Sequence, residues 1–582
     1  MFDRIYYYYF NANYQKCLEL SEILLKENSE FALEFAMLAS YKLSLFSKSL
    51  YYAYELFSLS PTSFHGLMLA KNYIKNQKFD DALDLLQKLL DRKDDLYNEI
   101  KLELAFAYEY AYKLEEAERI FKELLSEDTY NLNLWKHYAE IYFKSDFTKA
   151  LHAHEQLYDF AQELIKKFQS STFTEQNIDL KDLENRLHNK TKKNLNISKI
   201  EDFLTQQILP QKAYLLFKLF KISESLRLFQ SLEIYNQYSA QFWQNYAKVL
   251  EFDSNYQGAY NAYQKCLSLE SHASYQFDLA YLLMRMGVSD NFEEGKRLYE
   301  SRLFFAHHET FSTYHYNKSV QAFNQEGPNA FKDKKILVFC EQGFGDTIMY
   351  SRCLEKLCKI AQKVLFAPQS AMYEMFKNQI KILNEENNTF KNLKVLKILP
   401  KNFDYAIPIC SLPFLIDITL NEIKELKTPL LPQIKPKNKI KKIGIFYFTP
   451  YALHANLSRN LPAEFLLDTL EELNYKIISF QIETHEKLPK NVENRGKIIK
   501  NWNDTLNHLQ DIDLIISIDS AIAHLSLAMN IPTIVLLHPR FDWRWGKFED
   551  PKSYFWPKAQ CFVVKEENAK KDLQSLIRRI LN

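Results

Sequence analysis

Apolar and polar positions change period once along the chain, near residue 334. Before it, apolar residues recur at helical spacing, and the helical segments themselves repeat. An aromatic or aliphatic residue, two spacers and a small residue recur: Tyr14 with Cys17, Phe46 with Ser49, Phe79 with Ala82, Leu114 with Ala117 and Phe147 with Ala150. The pattern resumes at Ile222 with Ser225, Tyr256 with Ala259 and Phe292 with Gly295. A period of about 34 residues is that of a stacked helix-turn-helix repeat. The small residue lets two antiparallel helices approach, and a tyrosine earlier in the unit (Tyr73, Tyr108, Tyr142, Tyr246) fills the groove between them. Residues 155–205 interrupt the register. Within them Lys181 to Lys199 is polar and rich in Asn and Lys, and reads as an exposed insertion or a long irregular helix pair.

From Lys334 onward, short β-rich runs alternate with helical runs, the pattern of parallel sheets with crossover helices. The first set of expected strands is Lys335–Cys340, Lys363–Phe366, Leu393–Ile398 and Tyr405–Ile409. The second is Lys442–Phe448, Lys476–Gln481, Lys497–Lys500, Leu514–Ile518, Thr533–Leu537 and Cys561–Val564. Between the sets, Thr428 to Lys441 carries Pro429, Pro432 and Pro436 and reads as a linker. The expected organisation is a helical solenoid over 1–320 and two Rossmann-like halves over 330–432 and 440–582. Such sheets bind ligands at the carboxyl ends of their strands.

Composition narrows the function classes. A chain of 582 residues exceeds one core, and only 10 glycines beside 43 Phe and 37 Tyr suit helix packing. A net charge of +1 gives no field toward nucleic acid or an anionic membrane. No eighteen-residue apolar run and no signal-peptide pattern occur, so a cytoplasmic location without membrane insertion is expected. The seven cysteines are scattered with no C-x-x-C pair, as reduced buried thiols would be.

Polar groups cluster where the carboxyl ends should lie. The first strand runs into Glu341-Gln342-Gly343-Phe344-Gly345-Asp346, a carboxylate on a glycine-flanked turn. Asp346 there suits a general base or the cap of the following helix. The first strand of the second half leads to a loop with His454, Asn456 and Arg459. Leu514–Ile518 ends at Asp519-Ser520-Ala521, and His524 sits on the first turn of the helix behind it. The next strand ends at His538-Pro539-Arg540. Asp511-Ile512-Asp513 mimics a metal-binding D-x-D, but it precedes a strand, so no metal role is expected.

Taken together, Glu341 to Asp346, Phe403-Asp404, Ser411-Leu412-Pro413, Asp513 to Leu525 and Asp542-Trp543-Arg544-Trp545 resemble the bacterial tetratricopeptide-repeat glycosyltransferases. Their catalytic part is related to the ADP-heptose:lipopolysaccharide heptosyltransferases. The resemblance covers residues 330–580, and the repeats before it fit the same architecture. It implies a GT-B fold and an inverting, metal-independent, cofactor-free transfer of sugar from a nucleotide-diphosphate donor, with Asp346 as base. It further implies donor or substrate contacts from Glu341, Gln342, Gly343 and Gly345, from Arg459, and from Thr505 in Trp502-Asn503-Asp504-Thr505. Asp519, Ser520 and Ala521 match the diphosphate loop, with His524 beside it; heptosyltransferases carry glycine at the position of Ala521. Trp543 either stacks on a base or sugar or packs in the core. The partners implied are a nucleotide sugar and, through the repeats, a protein acceptor or partner. The competing readings are a repeat adaptor with a retired or nucleotide-sensing transferase domain, and a transferase acting on a lipid-linked glycan.

Overall fold

A computed structural model describes the chain except residues 26–29, 129–130, 144, 170–196, 306–310, 387–389, 429, 438, 450–458, 472–474, 483–487, 566–568 and 582. Most of the 155–205 insertion, together with Pro429, His454 and Asn456, therefore lies outside the described residues. The chain divides into two compact units, Met1–Gln237 and Tyr238–Asn582.

The first unit is built of consecutive antiparallel helix pairs. The repeat's small residues Cys17, Ser49, Ala82, Ala117, Ala150 and Ser225 are all fully buried. Ser49 and Ser225 keep their hydroxyls satisfied there by donating to the carbonyls of Met37 and Ala213 on the partner helix. The turns repeat as faithfully as the helices. Ala12, Ser44, Gln77, Tyr112 and Phe220 all take a positive φ two residues before a second helix starts. The N–H of the next residue then bonds back five residues, as in Lys78 to Tyr73 and Lys113 to Tyr108. This is the left-handed helix terminus that glycine usually occupies. Here the packing imposes it on other residues.

The second unit begins with helices Ala240–Phe252, Tyr256–Leu269, Ala273–Met286 and Ser289–Tyr299. Ser254 and Gly287 carry the positive φ of their turns, so the same repeat continues. Two sheets follow. The first holds β1 (Lys335–Phe339), β2 (Lys363–Ala367), β3 (Leu393–Val395) and β4 (Tyr405–Pro408), in the order β3-β2-β1-β4. The second holds β5 (Lys442–Phe446), β6 (Lys476–Ser479), β7 (Glu493–Asn494), β8 (Leu514–Ile518), β9 (Thr533–Leu537) and β10 (Gln560–Val563), in the order β10-β9-β8-β5-β6-β7. Every pairing is parallel. All residues of β8 and β9 are buried, as central strands covered on both faces must be. The fold is thus helical repeats followed by the paired Rossmann-like sheets of a GT-B architecture.

One expected strand is displaced. Lys497–Lys500 is not a strand; the edge position is taken by Glu493–Asn494. The N–H groups of Arg495 and Gly496 both bond the Ser479 carbonyl, which ends the ladder. Gly496 comes so close to Gln481 that a β-carbon would lie 1.9 Å from its carbonyl oxygen. The chain turns there and cannot run on as a strand.

Candidate active site at the reversal points of the two sheets

In each sheet the first strand is flanked by the second on one side and by a later strand on the other. Strand order reverses between β1 and β4, and again between β5 and β8. Crevices form at such reversals, beyond the carboxyl ends. A cleft of about 760 Å³ lies there, lined by residues that follow β1 and β8. That volume suits a nucleotide-sized ligand.

The first wall is the turn into helix Phe344–Ser351. Asp346 Oδ2 accepts the Gly343 N–H at 3.2 Å, so the residue does cap its helix. Its Oδ1 accepts from Arg544 Nη2 at 2.5 Å. Arg544 Nη1 is paired with Asp542 at 2.9 Å. Burial opposes the Arg544 charge, but the Asp346 and Asp542 carboxylates outweigh it and raise the guanidinium pKa well above its ordinary value. Gln369 pins the turn, donating to the Gln342 carbonyl and accepting from the Thr347 hydroxyl, each at 2.8 Å. Gly345 is required by contact with the other wall: a β-carbon there would lie 2.8 Å from His524 Cδ2.

The second wall starts where β8 ends. Ser520 caps helix Ala521–Ala528 by accepting the Ala523 N–H. First-turn N–H groups have no partner within their own helix, and Ala521 and Ile522 line the cleft. Arg459 Nη1 lies 3.3 Å from Asp519 Oδ2, with its side chain 44% exposed. His524 is buried, its ring 5.3 Å from that of Trp545. Trp556 Nε1 donates to His524 Nδ1 at 2.8 Å. An indole nitrogen can only donate. Nδ1 is therefore the acceptor, and the imidazole proton sits on Nε2. Burial pushes the His524 pKa down to about 4, against the pull of Asp519, so the ring is a neutral N–H donor at neutral pH.

The cleft brings together Gln342, Gly343, Gly345, Asp346, Arg459, Thr505, Asp519, Ser520, Ala521 and His524. Thr505 donates its hydroxyl to the Asn501 carbonyl. Two expected site residues lie elsewhere. Glu341 turns to the buried Arg302, accepting from Nη2 at 2.8 Å. Trp543 is 1% exposed and packs on Tyr281, Tyr299 and Phe555 in the core. His538 accepts the Arg540 N–H and stands outside the cleft lining. Asp511 and Asp513 flank the start of β8, away from the cleft. Asp513 holds Lys437 and the N–H groups of Lys441 and Lys442; Asp511 holds Lys442 and Arg495. Those partners hold both carboxyls below the ordinary range despite partial burial.

Sequence reasoning passed over Arg544, Lys500 and the Phe344–Trp502 ring pair, whose centroids are 5.3 Å apart at the cleft wall. The signal for Arg544 is its place in Asp542-Trp543-Arg544-Trp545, a charged residue between two tryptophans.

No protein-family model matches the chain, and no curated protein matches it in sequence. Among solved structures it is similar to a tetratricopeptide repeat protein from Parabacteroides merdae, at 11% identity over 52% of this chain and 96% of that one, with a TM-score of 0.34. It is also similar to the E. coli ADP-heptose lps heptosyltransferase II, at 11% identity over 42% of this chain and 98% of that one, TM-score 0.29. A glycosyl transferase family 9 structure from Veillonella parvula is similar at 15% identity over 43% of this chain and 90% of that one, TM-score 0.25.

Proposed function

We propose that the protein is a glycosyltransferase that moves a sugar from a nucleoside-diphosphate sugar to an acceptor hydroxyl, with inversion and without a metal or other cofactor. The observation that carries this reading is that Asp346 and the N-terminus of helix Ala521–Ala528 line the same cleft. The donor diphosphate lies at that helix N-terminus, where first-turn amides, Arg459 and Lys500 oppose its charge. The Nε2 proton of His524 serves a phosphate or ribose oxygen. The acceptor hydroxyl stands against Asp346, whose oxygens each keep a lone pair beyond the bonds to Gly343 and Arg544.

In the transfer, the hydroxyl oxygen bonds to the anomeric carbon while its proton passes to Asp346. The bond from that carbon to the diphosphate oxygen breaks, and its electrons leave with the diphosphate. A single displacement inverts the anomeric centre. Fixed amides and cations stabilise the departing charge, and the D-x-D aspartates are committed to lysine and arginine at the far end of β8. The Phe344–Trp502 pair offers ring faces for the base or the sugar. The helical repeats recruit the acceptor, a protein or glycan, or a partner protein.

One observation favours a second reading, a nucleotide sensor without turnover: both oxygens of Asp346 are already engaged, one by a guanidinium. The test is to incubate the full chain with ADP, UDP, GDP and CMP sugars and follow release of free nucleotide. Consumption of one donor supports transfer. Binding without consumption supports the sensor, and neither outcome with any donor removes both readings.

A further inference from the structure

The transfer chemistry makes no use of Arg285, on helix Ala273–Met286 of the repeats, yet that side chain is fully engaged. It is 3% exposed. Nε donates to Glu251 of helix Ala240–Phe252 at 2.7 Å. Nη1 donates to the Gly546 carbonyl at 2.8 Å, and Nη2 to the Phe541 carbonyl at 3.0 Å. The guanidinium lies 3.9 Å from the Phe548 ring centroid. A buried guanidinium persists only where its donors are satisfied. Here two of its partners are backbone carbonyls, and they bracket a single short segment.

That segment carries Arg544, the cation on Asp346. A second repeat residue holds the same stretch: Tyr256 donates its hydroxyl to Glu549 and accepts the Phe548 N–H. From the other side, Arg302 donates to Glu341 and Ser411, which follow β1 and β4. Two repeat residues and Arg302, in the 3-10 turn Glu300–Phe304 behind helix Ser289–Tyr299, thus grip both turns that meet in the Arg544–Asp346 pair.

We infer that Arg285 is a positioning residue for the cleft. By fixing the Phe541 and Gly546 carbonyls it sets the segment that aims Arg544 at Asp346, and so the last repeat helices are part of the site's support. Its catalytic meaning rests on the transfer reading above; the mechanical coupling does not.

The test is hydrogen-exchange mass spectrometry on the full chain, comparing the unmodified protein with R285M, R285K and Y256F. In R285M, amides of 541–549 and of 343–347 should exchange about tenfold faster, while β8 stays protected, because local opening is confined to the gripped segments. R285K should fall between, since an ammonium lacks the planar fork that serves two carbonyls. Y256F should show a smaller change in the same two segments. Where turnover is measurable, R285M should lower kcat about tenfold with KM for donor nearly unchanged, and should add little to R544M, as expected of residues acting through one another.

Loosening of 541–549 with 343–347 unchanged overturns the inference. So does loosening of β8 alongside both segments in R285K and Y256F, which marks ordinary core support. If R285M fails to fold, R285K and Y256F decide. Absence of turnover in the unmodified protein would count against the transfer reading and leave the exchange result standing.

Discussion

The strand-turn-helix units after β1 and after β8 share one plan and place different groups at their helix starts. In the first, the helix is capped from within: Asp346 folds back onto the Gly343 N–H and presents its other oxygen to Arg544. In the second, Ser520 caps from outside the helix, and a cation and a neutral histidine stand beside the first turn. In the first helix the carboxylate of the third helical residue accepts the N-cap amide, and in the second the N-cap hydroxyl accepts the third helical amide. A carboxylate stands in the first turn of one helix; the first turn of the other has an uncharged cap and no acidic residue. Gly345 against His524 is where the two walls touch.

The largest expected break in this contrast is D346N. It keeps an oxygen for the Gly343 N–H but removes the base, so transfer should fall about 1000-fold, within the range of general-base contributions. A loss below tenfold in kcat, with the thermal midpoint lowered, would reduce Asp346 to a cap and remove the difference between the walls.

The next test concerns the neutral His524. Its folded pKa of about 4 lies below the ordinary 6.5. Between those values the unfolded chain binds a proton that the folded chain refuses, so stability is fully present above pH 6.5 and is lost as pH falls toward 4. At pH 5 the loss should be about 2 kcal/mol. Chemical denaturation at pH 7 and pH 5 reads it, and H524Q should flatten that part of the difference. An unchanged dependence in H524Q would mean that the second wall is not held neutral by burial of this ring.

The smallest effect belongs to S520A, which should cost about 1 kcal/mol of stability through loss of the cap. If the cap also shapes the anion site, diphosphate affinity should fall with it. A stability loss with affinity unchanged would detach the cap from the wall's function.

Much of this was legible in the sequence, for physical reasons that differ by region. The repeats could be read because Cys17, Ser49, Ala82 and their counterparts occupy positions where a larger side chain would force helices apart. The division at Gln237 could not, since the same turn recurs beyond it at Ser254 and Gly287. The carboxyl ends of β1 and β8 were legible because an apolar run stops at polar, turn-forming residues. The resemblance implies a site role for Glu341 and the sequence leaves Trp543 open between cleft and core, because which side of a turn faces a cleft is set by tertiary partners. Arg302 draws Glu341 inward, and Tyr281 and Tyr299 bury Trp543, leaving Arg544 to reach the cleft. Among the described residues no helix is long and apolar enough to cross a membrane.

On the transfer reading proposed above, one wall holds a diphosphate through Arg459 and the amides beyond Ser520. Isothermal titration of the full chain with ADP, UDP, GDP and CMP, without added divalent cation, tests it most directly. The expected result is saturable binding of at least one nucleoside diphosphate at one site per chain, weakened about tenfold in R459M by loss of a charge-assisted contact. Binding of none of them, or binding indifferent to R459M and S520A alike, would contradict it.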